Sequence, residues 1–77
     1  MHVEILNPER ILFSGEAKSV RLPGAGGQFE VLEHHAPLLS TLEPGEIRVR
    51  DNSGVETLHP VQSGLVEVLA NVVTVMI

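Results

Sequence analysis

A chain of 77 residues with ten Asp and Glu against five Lys and Arg carries a formal charge of −5. That length bounds it to one domain, and that charge repels nucleic-acid phosphates and anionic lipid heads alike. The absence of Cys excludes a disulfide framework and a thiolate metal site. A fold this small hides about 60–65% of its unfolded surface, so a permanent partner is an expected source of stability.

Met1-His2-Val3-Glu4-Ile5 places an acidic residue where a signal or transit peptide needs basic and continuous apolar ones, which predicts a protein that stays where it is made. Val3 and Ile5 alternate with His2 and Glu4 before the turn pair Asn7-Pro8, and Val20 and Leu22 alternate with Ser19 and Arg21 before Pro23-Gly24. Both read as half-buried strands. Phe29 and Val31 alternate with Gln28 and Glu30 in the same way. Residues 36–42 contain Pro37 and Thr41 and are too short for a stable helix, so they are expected to be extended.

After Pro44-Gly45 the alternation Glu46-Ile47-Arg48-Val49-Arg50 is the cleanest in the chain. Asp51-Asn52-Ser53-Gly54 then turns residues 55–59 back as a hairpin. Ser14-Gly15 and Ser63-Gly64 look like turns. Residues 65–69 and 72–77, separated by Ala70-Asn71, form the most apolar stretch; Glu67 and Asn71 interrupt it, and it falls short of the roughly 20 residues of a spanning helix. On the last strand Val72, Thr74 and Met76 share one face and Val73, Val75 and Ile77 the other, so one row is expected to be exposed. Strand signals about every 8–12 residues predict an all-β fold: a small antiparallel two-sheet β-sandwich of roughly eight to ten short strands, in one domain over residues 1–77.

Motifs for chemistry fail one after another. Gly24-Ala25-Gly26-Gly27 lacks the third Gly of a dinucleotide fingerprint, where Phe29 stands, and no Gly-Lys-Ser or Gly-Lys-Thr follows for a phosphate loop. His34 and His35 are adjacent and point to opposite faces of an extended chain, and neither His2 nor His59 has ligand spacing, so no metal site is expected. Ser14, Ser19, Ser40, Ser53 and Ser63 lie outside a nucleophile elbow, and Glu30 with Glu33 has no aromatic wall to separate two carboxylate pKa values. Phe13 and Phe29, the two aromatics, are expected in the core, which leaves no stacking platform for sugars or bases. The residues alone describe a small acidic sandwich without an active site or cofactor, whose work is binding. A free-standing protein-binding adaptor and, third, a small metal-dependent hydrolase remain as alternatives.

Taken in order, Leu12-Phe13-Ser14-Gly15, Gly27 with Phe29 and Val31, His35-Ala36-Pro37-Leu38-Leu39, Pro44-Gly45 with Ile47-Arg48, Ser63-Gly64 with Glu67-Val68, and Val73-Thr74-Val75 resemble the epsilon-subunit family of F-type ATP synthases over the whole chain. The resemblance implies a non-catalytic β-sandwich at the foot of the central stalk, on the cytoplasmic face of a bacterial inner membrane. Its partners would be the gamma subunit and the ring of c subunits, and it would couple ion-driven rotation to ATP synthesis. Position by position, Gly24, Ala25, Gly26, Gly27 and Gln28 match the tip that meets the c ring, and Asn7, His35 and Ser40 match positions facing gamma, with Pro37 holding the segment extended. Where relatives often have an acidic residue this chain has Gln28, and the usual Pro-Gly before His-Ala-Pro is Glu33-His34, which puts the local turn shape in question. Many relatives continue into a helical hairpin that restrains rotation, so no hairpin brake and no nucleotide site are expected within these residues.

Overall fold

The computed structural model describes residues 1–77. Nine strands follow one another: β1 (His2–Leu6), β2 (Ile11–Glu16), β3 (Ser19–Gly24), β4 (Gly27–Leu32), β5 (Leu38–Leu42), β6 (Gly45–Arg50), β7 (Glu56–Val61), β8 (Gly64–Leu69) and β9 (Val72–Met76). They form one continuous sheet in the order β2-β1-β9-β8-β5-β3-β6-β7, with β4 on the other edge of β3. The joint between β5 and β3 is a single residue pair, Gly24 opposite Leu42. It is flanked by two bonds: the Ala25 N–H donates to the Thr41 carbonyl at 3.0 Å and the Glu43 N–H to the Pro23 carbonyl at 2.8 Å. At this joint the sheet folds over into two layers, β2-β1-β9-β8-β5 and β4-β3-β6-β7, that enclose the core.

Period-two alternation decides which side chains fill that core. Val3, Ile5, Val66, Val68, Val73 and Val75 come from the first layer, and Val20, Leu22, Val31, Ile47 and Val49 from the second, all almost fully buried. Each contributes about 1.5–3 kcal/mol relative to exposure. Met1, Ala17, Leu42 and Val61 close the cluster. On the last strand Val73 and Val75 are the buried row, whereas Val72 and Met76 face out.

The sandwich has the expected number of strands in two layers, and every ladder is antiparallel but one. β1 and β9 run parallel, with Val3 opposite Val73 and Ile5 opposite Val75. They come from distant parts of the sequence, so no tight hairpin constrains their relative direction. Phe13 and Phe29 are half-buried and pack against the core cluster rather than inside it. Ser14 and Gly15 lie within β2, opposite Glu4 and Val3, and not in a turn, because β1 offers them a full ladder.

The turns fit their chemistry. The β6–β7 turn is held by Asp51, whose Oδ1 accepts the Ser53 N–H at 2.9 Å, the Ser53 hydroxyl at 2.8 Å and the Val55 N–H at 3.0 Å. Those donors, the Ser53 side chain first, lower the pKa of the Asp51 carboxyl. Ala70 and Asn71 both take positive φ, 51° and 63°, as a two-residue hairpin of this twist requires. His34 also takes a left-handed φ of 62°. Its N–H donates to Asn71 Oδ1 at 2.8 Å, which helps to hold an L-residue in that conformation. The turn at Glu33-His34, whose shape the sequence left in question, is thus held in part by a side chain of the neighbouring hairpin.

Candidate functional site

Folding one sheet into two layers creates two long sides where edge strands approach. On one side β2 and β7 are closed by an edge-on contact between Phe13 and His59, with ring centroids 5.4 Å apart and planes at 64°. His59 is half-buried there, with Nε2 3.1 Å from the Thr57 hydroxyl, and burial lowers its pKa below the ordinary imidazole value.

On the other side β4 and β5, connected by residues 33–37, stand apart and leave a groove of about 390 Å³. Gly24, Gly26, Gly27, Gln28 and Phe29 of the β3–β4 hairpin line one wall, and His35, Leu38 and Ser40 the other. The Phe29 ring forms part of the floor because Gly24 carries no side chain: a Cβ there would stand 2.6 Å from Phe29 Cε1 and 2.9 Å from the Gly27 carbonyl. Gly27 takes φ 126°, which favours glycine as the chain enters β4.

Four of the five tip residues matched to the c ring, Gly24, Gly26, Gly27 and Gln28, line this groove together with His35 and Ser40. Ala25 sits at the turn of the same hairpin, its N–H committed to Thr41. Asn7 lies elsewhere. It caps the β1–β2 turn, accepting the Glu9 N–H at 2.8 Å and the Arg10 N–H at 2.9 Å, and borders a separate hollow with Leu6, Pro8, Met76 and Ile77. From β1 to β5 there are three strand spacings through β9 and β8, roughly 14 Å. Phe29 and Leu38 were not singled out as groove residues by the sequence: Phe29 was expected in the core and Leu38 only in an extended segment, and the groove exists only because the two layers part there.

Two of the groove's polar side chains are engaged with backbone. The His35 Nδ1–H donates to the Ala36 carbonyl at 2.7 Å and the Ser40 hydroxyl to the Thr41 carbonyl at 3.0 Å, which leaves no hydroxyl–imidazole pair. Nearby, Glu30 lies 4.0 Å from Arg21, while Glu43 and Glu67 enter no ion pair. The groove thus presents glycine backbone and one aromatic ring, with two unpaired carboxylates beside it.

The family described as "ATP synthase, Delta/Epsilon chain, beta-sandwich domain" matches residues 1–77. The chain belongs to that family. Among relatives, the ATP synthase epsilon chain of Alkalilimnicola ehrlichii is 42% identical over 76 residues, covering 99% of this chain and 54% of the relative. That of Polaromonas naphthalenivorans is 40% identical over 76 residues, covering 99% and 55%. This delta/epsilon domain thus spans about half the length of the curated relatives it matches. In solved structures the same fold occurs in the mitochondrial ATP synthase of Euglena gracilis, at TM-score 0.89 and 18% identity over 96% of this chain and 48% of that one. It occurs also in the central stalk/c-ring structure from Tetrahymena thermophila, at TM-score 0.78 and 19% identity over 97% and 60%.

Proposed function

We propose that this domain is the foot of the central stalk of an F-type ATP synthase, coupling ion-driven rotation of the c ring to ATP synthesis and hydrolysis in the catalytic head. The family match over residues 1–77 carries the reading. The clustering of Gly24–Gln28, His35 and Ser40 about one groove supports it, since residues matched to two partners meet where those partners would adjoin. In this reading the β3–β4 tip rests on the polar loops of the c ring, and His35 and Ser40 face gamma. Asn7 touches gamma at a second patch. The domain makes and breaks no bond itself and sits at the cytoplasmic face of the bacterial inner membrane through its partners. Residues 1–77 contain no helix, so coupling rather than helical braking is assigned to them.

Co-expression with the gamma subunit of the same genome tests the reading. A stable complex on gel filtration is expected, and separate elution of the two proteins would falsify it. In the assembled enzyme, Ala25→Cys should cross-link to cysteines placed in the c-subunit loops. Adding the domain to enzyme that lacks it should leave ATP hydrolysis uninhibited, and strong inhibition would refute the assignment of coupling without braking.

A further inference from the structure

Strand β5 is half paired. One edge is laddered to β8 from Leu38 to Leu42, whereas the other meets β3 at the single pair Gly24–Leu42. Along an antiparallel strand, the N–H and C=O of one residue point to one edge and those of the next residue to the other. The Thr41 carbonyl accepts from Ala25, so Thr41 and, two residues back, Leu39 turn their backbone toward the groove edge. The Leu39 N–H and C=O and the Thr41 N–H have no backbone partner there. β4 does not supply one. It pairs with β3 alone, and Gly27, which would face Leu39 if the β3–β5 register continued, is already opposite Gly24.

Free edges are commonly blunted by Lys, Pro or a bulge. β7 carries Pro60, but β5 has none of these devices: Pro37 precedes it, its ladder to β8 is regular, and Leu39 is 66% exposed. Two carboxylates bracket it. Glu43 follows Leu42, Glu67 stands opposite Leu39, and neither is paired with a cation.

The geometry points to strand addition: an extended basic segment of the gamma subunit lies in the groove as a further strand on β5, bonded to the backbone of Leu39 and Thr41. The inference rests on the reading that this groove faces gamma, and it names how gamma is held. An added strand runs about 4.8 Å from β5, so its alternate side chains point inward over Phe29 and outward beside Leu39. Gly26 and Gly27 leave room for the inward set. Lys or Arg on the segment reaches Glu43 and Glu67, which explains carboxylates left unpaired beside an unprotected edge.

Amide hydrogen exchange of the 77-residue chain, alone and bound to gamma, tests this together with Leu39→Pro and Leu39→Ala. Proline removes the N–H aimed at the groove and no bond to β8, because the Leu39 backbone faces away from β8. In the complex the Leu39 and Thr41 amides should exchange at least about tenfold more slowly, and Leu39→Pro should weaken gamma binding by about tenfold or more while Leu39→Ala changes it less. If the proline variant does not fold, exchange in the unmodified chain decides alone. Unchanged exchange at both amides in a complex that does form, or an alanine variant as damaged as the proline one, overturns strand addition and leaves the subunit assignment standing. No complex with gamma at all removes both.

Discussion

The two long sides of the sandwich differ in how they end. Where β2 meets β7, Phe13 and His59 close the layers edge to face, and Pro60 deletes one donor from β7. Where β4 meets β5, glycines replace side chains, Phe29 forms a floor, and a strand edge is left with its hydrogen bonds unmade. One side is closed by side chains and the other is left open, and the same alternating pattern produces both. What separates them is the side chain at the rim: an aromatic pair on one, bare backbone on the other.

Breaking the closed side should have the largest effect. Phe13→Ala removes a half-buried ring and exposes His59, an expected loss of about 2–3 kcal/mol, at the lower end for aromatic truncations. At about 4–8 °C per kcal/mol for a domain this size, thermal unfolding should shift down by about 8 °C or more. A change below one or two degrees would show that Phe13 does not seal this side.

On the open side, Gly24→Ala drives a methyl group into the Phe29 ring and the Gly27 carbonyl, an overpacking cost of about 1–3 kcal/mol. Adding Phe29→Leu to that variant should recover part of the loss in a double-mutant cycle, because the aromatic ring is one of the two obstacles. Additive losses would instead place the strain wholly in the backbone. His34→Gly should act in the opposite direction. It relieves a left-handed L-residue in the β4–β5 connection but adds unfolded-state entropy, for a net gain of about 0.5–1 kcal/mol, measurable as a raised denaturant midpoint. A loss there would mean that the His34 side chain supports the connection.

The smallest effect concerns pH. Burial holds the His59 pKa below its unfolded value, so neutral His59 favours folding above the unfolded pKa of about 6.5, and that contribution is lost as pH falls through the folded pKa. The change in melting temperature from pH 7.5 to pH 5 should be less favourable in the native chain than in His59→Gln. His2 shifts the other way, raised first by its hydrogen bond to Glu16 and then by that to Glu4. Its contribution is present below the unfolded pKa and fades as pH rises through the folded one, which makes the His59→Gln comparison necessary for assigning the slope.

Much of this was legible from residue pattern because the core depends on alternation alone. Val3 with Ile5, Ile47 with Val49 and Val73 with Val75 fall inside as the period requires, and the Asp51 turn was readable from its own chemistry. Residues 33–37 were harder, since the left-handed turn at His34 depends on Asn71, thirty-seven positions away. Ser14-Gly15 misled for a similar reason: turn-forming residues become strand when a neighbouring strand supplies the ladder. The groove was legible as separate fragments, the glycine tip and the His35 block, but their convergence requires the fold-over at Gly24–Leu42. Asn7 shows the converse. A match at one position said nothing of the distance to the others.

The parallel pairing of β1 with β9 sets a schedule for the nascent chain. His2 aligns with Val72 and Leu6 with Met76, so the first strand has no inner neighbour until residues some seventy positions later have been made. At about 5–20 residues per second on the ribosome, β1 and its β2 hairpin wait several seconds with Val3 and Ile5 uncovered. Nearby hairpins such as β3–β4 and β6–β7 can form in microseconds, but closing the first layer carries the entropy of the longest loop in the domain. The domain is therefore expected to mature late and all at once, with its apolar first strand exposed to chaperones until the last one arrives.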